Sequence, residues 1–286
     1  MAELLKGAPV AAAITEGLIP RVEALAARGV TPTLAIVRVG EREDDLSYER
    51  GAKKRCAKVG IDVREFVLAS DCSQHELMDV IAQVNGDPSI HGCLMFRPLP
   101  RTLDQDAACA ALDPRKDVDC ITAGSLYGVF ANRPTGFPPC TAEAVVALLD
   151  HYGYELSGAR VTVVGRSLVI GKPVSMMLQA RNATVTMCHT RTSDLAGECS
   201  RAQILVAAAG HARTVGADCA APGQVVVDVG INWDESAGRL VGDVDFEGVE
   251  PIVSAITPVP GGVGSVTTAI LARHVIEAAE RTMQEQ

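Results

Sequence analysis

The run Val161-Thr-Val-Val-Gly-Arg-Ser-Leu-Val-Ile-Gly171-Lys-Pro173 has the make-up of a buried strand that enters a glycine turn and then a helix. Such a turn presents helix N–H groups to a pyrophosphate. Its spacing departs from G-x-G-x-x-G: Ser167 stands where the second glycine would, and Gly171 comes one residue late. A second strand, Ala183–Cys188, follows and ends in His189-Thr190-Arg191-Thr192. An NAD site usually carries an acid at that strand end for the ribose hydroxyls. Here the residues are a hydroxyl and a cation. With Arg166 in the turn they suit a 2′-phosphate, because a guanidinium matches phosphate oxygens in pairs. The expected cofactor is therefore NADP, with NAD possible, its phosphate on Arg166, Thr190 and Arg191. A plain structural turn and a solvated Arg191 are the competing readings.

The elements that must position these residues can be read from periodicity. Apolar positions Ile14, Leu18, Val22 and Leu25 give a helix over 8–28, ended by Gly29. Thr33–Val39 reads as a strand, 46–59 as a helix closed by Gly60, Ile61–Leu68 as a strand, 73–85 as a helix and Gly92–Phe96 as a strand. After a Gly/Pro/Thr-rich stretch at 121–140, Thr141 is expected to cap a helix. A second alternation follows, with strands at Arg160–Val164, Ala183–Cys188, Ile204–Ala208 and Val225–Val229, a helix at 172–181 and a last helix at 267–283. The fold class is α/β, with two parallel α/β domains of which the second is Rossmann-like and doubly wound.

Composition limits the function classes. With 286 residues the chain has room for about two domains. A formal charge of −9 and 3% aromatic residues argue against a nucleic-acid surface, while leaving room for one local basic pocket. Nine cysteines without C-x-x-C or zinc-finger spacing read as reduced, buried thiols of a reducing cytoplasm, with no metal. Neither a signal peptide nor a membrane span is expected. His75, His91, His151, His211 and His274 are scattered and read as ordinary surface or packing residues.

Taken in order, the segments Pro98-Leu-Pro100, Pro114-Arg-Lys-Asp-Val-Asp119, Pro139-Cys-Thr141, Val164–Pro173, Ala183–Thr190, Gly242-Asp-Val244 and Ile256-Thr-Pro-Val-Pro-Gly-Gly-Val-Gly264 resemble the methylenetetrahydrofolate dehydrogenase/cyclohydrolase (FolD-type) family over nearly the whole chain. The resemblance implies a homodimer, with a folate-binding domain at 1–138 plus 267–286, an NADP-binding domain at 139–266 and a cleft between them. It implies Gly165, Arg166, Ser167, Thr190 and Ile231 as cofactor contacts. It also implies a folate pocket with Tyr48, Asp119 and the Pro258–Gly262 loop, including Gly261 and Gly262. Tyr48, Lys54 and Asp119 are the expected catalytic residues. For Asp119 there is a physical reason, because a carboxylate accepts paired hydrogen bonds from an amino-pyrimidine edge. Its competing reading is a helix cap. The glycines of the loop allow close backbone approach to a ligand, or simply a turn.

The chain departs from the family pattern at residues assigned to one of two reactions. The family usually carries Tyr-x-x-x-Lys-x-Lys, whose first lysine is assigned to the cyclohydrolase step; here the run is Tyr48-Glu-Arg-Gly-Ala-Lys-Lys-Arg55. Ala52 takes the first lysine's place and Lys54 the second's. Lys53 sits about 100° round the helix from Ala52. Arg55 shares the face of Tyr48 but cannot serve as a base. Phe96 replaces a usual Gln, Asp45 a usual Ser, and Ser265 a common Pro. Hydride loss from the methylene carbon needs alignment more than a side-chain base. Hydrolysis needs proton management. The expectation is a dehydrogenase with weak or absent cyclohydrolase activity. The alternatives are a bifunctional enzyme in which Lys53, Lys54 or Arg97 takes over, and a non-catalytic paralogue that keeps the binding sites.

Overall fold

The computed structural model describes residues 1–235 and 238–284. Residues 285 and 286, the end of the expected first-domain range, lie outside the described residues. The strands, in chain order, are β1 Glu3–Leu4, β2 Thr33–Val39, β3 Asp62–Leu68, β4 Gly92–Met95, β5 Arg160–Val164, β6 Thr184–Cys188, β7 Ile204–Ala207, β8 Val225–Asp228, β9 Asn232–Asp234, β10 Arg239–Val241 and β11 Ala255–Ile256. The chain forms two compact units, one of residues 13–140 and 268–286, the other of residues 1–12 and 141–267.

The first of these units is built on a three-stranded parallel sheet, ordered β3-β2-β4. All seven residues of central β2 are buried, as a continuous apolar run in a parallel sheet should be. Helix Glu43–Val59 buries Asp45, Glu49, Ala52, Cys56 and Val59, one stripe at helical spacing. It stops at Gly60, which takes a left-handed φ of 82°. Helix Gln74–Gly86 starts in a capping box, Ser73 bonding the Glu76 N–H and the Glu76 carboxylate returning to Ser73. Beyond β4, the chain at Asp117 runs parallel beside Cys93. The register therefore carries Asp119 toward the carboxyl end of β4, where Phe96 and Arg97 emerge.

The other unit holds a six-stranded sheet in the order β1-β11-β8-β7-β5-β6, all of its pairs parallel. The order reverses between β5 and β7, which is the topological switch point of a doubly wound fold. Strands β9 and β10 form a separate antiparallel hairpin.

Three expectations need correction. Residues 1–12 group with the six-stranded unit, because β1 pairs with β11 through Glu3↔Ala255 and Leu4↔Ile256. A two-residue strand carries too little periodicity to be read. Thr141 does not cap its helix, which already begins at Cys140. The stretch 121–140, read only as Gly-, Pro- and Thr-rich, holds a helix, Ala123–Ala131, which Thr122 caps by accepting from the Ser125 N–H. Phe137 packs on His274 at 4.9 Å and lies under the Arg281 guanidinium at 4.1 Å, which pins the Pro-rich end of the stretch to the last helix.

Candidate functional site

Strand β5 delivers Gly165 at φ 137°, a conformation that an L side chain rarely adopts. A Cβ there would collide with the carbonyl of Ala208, and one on Gly171 would collide with the carbonyl of Gly165. The first and last glycines of the turn are thus fixed by close approach of backbone to backbone. The middle position tolerates Ser167, whose Oγ accepts from the N–H of Ile170 at 3.1 Å and of Gly171 at 3.4 Å. Helix Gly171–Ala180 follows at once. Among the described residues the backbone N–H groups of Arg166, Ser167, Leu168 and Val169 have no protein acceptor. Four open donors before a helix N-terminus, over a glycine floor, fit a pyrophosphate.

Register sets the rest of this site. Val164 pairs with Cys188, and the Gly165 N–H donates to the Cys188 carbonyl at 2.9 Å. The turn residues therefore lie beside the end of β6. There the His189 N–H donates to Thr192 Oγ1 at 2.9 Å, while His189 Nδ1 accepts from the Arg191 N–H at 3.1 Å. That local turn exposes both Thr190 and Arg191. Other arginines of the unit are engaged: Arg181 with Asp150, Arg201 with Glu198, Arg213 with Asp234, Arg239 with Glu247, and Arg160 with the Arg201 carbonyl. Arg166 and Arg191 have neither an ion pair nor a side-chain hydrogen bond among the described residues. Two uncommitted guanidiniums at one strand-end corner suit a 2′-phosphate.

A cavity of about 250 Å³ opens in the same unit. Its walls are the end of β8 through Ile231, Leu240, and the Pro258–Ser265 loop. Ile231, Pro258, Gly261 and Gly262 are thus brought together. Gly261 takes a φ of 107°, and its carbonyl accepts from the Gly7 N–H at 2.8 Å. Ile231 is left 64% exposed at the rim, an apolar side chain with surface to offer a ring.

Beneath the cavity lies a pair of carboxylates that the sequence reading passed over. Asp228 accepts from the N–H groups of Gly230, Asp243 and Val244 at 2.9, 3.0 and 3.0 Å. Asp243 accepts from the Gly210 N–H and the Asn232 amide at 2.8 and 2.9 Å. A Cβ at Gly230 would strike the Asp243 carboxylate, and one at Gly242 the Asp228 carboxylate. Burial pushes Asp228 up to about 6 against those three hydrogen bonds, with Asp243 adding to the rise. The signal was present in Asp228-Val-Gly230 and Gly242-Asp-Val244, an acid and a glycine in mirrored order.

In the other unit, Tyr48 lies on helix Glu43–Val59 and meets Phe96 edge-on, ring centroids 6.1 Å apart. Ala52, one turn further, is fully buried. Lys53 is held by Glu65 at 2.8 Å and Glu49 at 3.7 Å, and the bond to Glu65 raises its pKa. Arg55 donates to Thr15 Oγ1 at 2.6 Å and to Thr268 Oγ1 at 3.5 Å. It is therefore committed away from Tyr48. Lys54 is exposed and makes no polar contact among the described residues. Six residues from Tyr48, it stands about 240° round the helix.

Asp119 accepts from the Cys140 N–H at 3.2 Å, the first amide of helix Cys140–His151. The capping reading is thus partly realised, at a distant helix; the nearby capping is done by Asp117, which accepts from the Ile121 and Thr122 N–H groups. Burial raises the Asp119 pKa, while the Cys140 N–H and the charge of Arg97 act against the rise. All nine cysteines are free and buried, and burial pushes the Cys93 thiol up to about 12, so it is not a nucleophile.

Comparison with known proteins gives one answer for both units. Residues 5–119 match the tetrahydrofolate dehydrogenase/cyclohydrolase catalytic domain, and residues 139–283 match the NAD(P)-binding domain of the same family. The chain is 52% identical over 281 residues to a bifunctional protein FolD of Carboxydothermus hydrogenoformans, covering 98% of each chain. It is 50% identical to the bifunctional protein FolD of Clostridioides difficile, covering 97% of this chain and 96% of that one. Among solved structures, the bifunctional FolD of Campylobacter jejuni superposes with a TM-score of 0.95 at 35% identity, over 99% of this chain and 100% of that one. The Trypanosoma brucei FolD, solved with NADP cofactor and an inhibitor, gives 0.92 at 34%, over 99% of each. The chain belongs to the tetrahydrofolate dehydrogenase/cyclohydrolase family.

Proposed function

We propose that the protein is an NADP-dependent 5,10-methylenetetrahydrofolate dehydrogenase whose methenyltetrahydrofolate cyclohydrolase activity is weak or absent. The observation that carries this reading is the wall of Tyr48, Phe96 and buried Ala52, near which Lys53 and Arg55 are already bound and Lys54 is turned away. NADP, when bound, supplies the acceptor for a hydride. The open N–H groups of Arg166–Val169 hold its pyrophosphate, Thr190, Arg191 and Arg166 its 2′-phosphate, and Ile231 a ring face. Asp119 accepts from the amino-pyrimidine edge of the folate, and Tyr48 orients it with the help of Phe96. The family resemblance makes Pro258, Gly261 and Gly262 further folate contacts.

Hydride loss leaves a cation delocalised over N–C–N of the folate. It requires alignment and no proton transfer. Hydrolysis of that cation requires a group to accept a proton from water and return one to the leaving nitrogen. Lys53 is a poor base, because Glu65 and Glu49 stabilise its charged form. A guanidinium does not act as a base, which leaves out Arg97 and Arg55. Lys54 reaches only water. We further take the enzyme to be a cytoplasmic homodimer; nine buried free thiols suit a reducing compartment. Among the described residues no helix is long and apolar enough to cross a membrane. Parallel assays of both half-reactions on one preparation, with NADP and with NAD, test the reading. Folate binding without hydride transfer would instead favour a non-catalytic paralogue.

A further inference from the structure

Asp45 is the one acid in the first turn of its helix that is not on the surface. Glu43 and Asp44 are exposed and suffice to complement the helix dipole. Asp45 is 7% exposed, at a position where the family usually has Ser. It has neither a hydrogen bond nor an ion pair among the described residues. The charges of Arg42 and Arg38 act on it without a bond to it. Arg38 is bound to Glu49 and to the Gly40 carbonyl, and Arg42 donates to the Pro98 carbonyl at 3.1 Å. Such burial of a carboxylate is costly unless something compensates it.

Two contacts fix where it faces. Residues 45, 48 and 52 share one face of the helix. Arg42, the residue before the helix, reaches the Pro98 carbonyl, and Tyr48 meets Phe96. Asp45 lies between these two contacts along the chain and shares the face that Tyr48 turns to Phe96. Among the described residues every fully enclosed side-chain N or O atom has a partner. The unpartnered oxygens of Asp45 therefore keep some accessible surface.

Resting on the dehydrogenase reading above, we propose that Asp45 is the counter-charge to the folate cation formed when hydride leaves. In that step the C–H bond of the methylene carbon breaks, both electrons leave with the hydrogen to the nicotinamide, and the N–C–N unit becomes positive. Placing Asp at 45 and Ala at 52, where the family has Ser and Lys, makes this face two charges more negative. The substitution pair favours forming and holding the cation.

The test compares ligands that differ in that charge. Asp45→Ser, Asp45→Asn and Asp45→Glu are titrated with cationic methenyltetrahydrofolate and with neutral-ring tetrahydrofolate, and assayed for hydride transfer. Loss of the carboxylate is expected to weaken methenyl binding about tenfold and lower kcat by a similar factor, with tetrahydrofolate affinity changed less than about twofold. Asp45→Glu should retain most of the discrimination. Equal losses for both ligands, or unchanged discrimination in folded Asp45→Asn, would overturn the proposal. If the unsubstituted enzyme transfers no hydride, the dehydrogenase reading itself fails and the proposal falls with it; activity with unchanged discrimination sinks the counter-charge alone.

Discussion

The Phe96 ring stands edge-on to Tyr48, centroids 6.1 Å apart and planes at 82°. Phe96 is 9% exposed, so this contact closes the space where the family usually offers an amide. The pair keeps the Tyr48 ring oriented.

Restoring one family residue is therefore not expected to restore hydrolysis. Ala52→Lys alone should leave cyclohydrolase activity at background, because the new ammonium meets an aromatic wall. Phe96→Gln alone should also stay at background and cost about 1–3 kcal/mol of stability for the buried amide. The double variant should raise hydrolysis by at least about tenfold. Rates of methenyl loss without nucleotide, with urea melts of each variant, check this.

Arg166 and Arg191 are expected to set cofactor choice. Arg191→Ala should weaken NADP about 10–100-fold while leaving NAD within about threefold, as loss of a charge-assisted bond to phosphate predicts. Arg166→Ala should act in the same direction. Kinetics with both cofactors measure it; equal effects on the two would make these arginines general electrostatic contributors.

Gly171→Ala should abolish nucleotide binding and destabilise the chain by more than about 2 kcal/mol, since its Cβ has the Gly165 carbonyl in its way. Gly153→Ala is the control for strain alone, because it has a φ of 75° with open space around it. It should cost about 1 kcal/mol and leave binding intact. Urea unfolding and NADP titration separate the two.

The Asp228 carboxyl predicts a particular pH dependence. Its folded pKa, about 6, lies above the usual carboxylate value, so the native state holds the proton more tightly than the unfolded chain. The stability due to Asp228 is then fully present below about pH 4 and is lost as pH rises to about 6. The stability difference between the native chain and Asp228→Asn should shrink by about 2–3 kcal/mol across that window. Urea melts of both proteins from pH 4 to 7 test it; a difference that grows with pH would mean that the three N–H donors outweigh burial.

Much of this was legible in the sequence. Strands such as Thr33–Val39 and Arg160–Val164 are apolar runs between breakers, and they form where periodicity puts them. The glycine turn announced its own strand and helix. Tertiary pairing was not legible. Residues Glu3 and Leu4 become a strand only because Ala255 and Ile256 lie beside them. Asp119 caps a helix that starts 21 residues later. In the sequence Asp228 reads only as part of a strand and Asp243 only as part of a motif; the fold sets each against the other's glycine. Lysine availability was likewise invisible: Lys53 and Lys54 are neighbours, yet one is bound by Glu65 on β3 and the other faces water.

The most direct test of the central claim is the ratio of two rates on one preparation: NADP-dependent conversion of methylenetetrahydrofolate to methenyltetrahydrofolate, and hydrolysis of methenyltetrahydrofolate without nucleotide. The account predicts clear hydride transfer and hydrolysis no faster than the buffer reaction. Enzyme-dependent hydrolysis at a rate rivalling the dehydrogenase would contradict it.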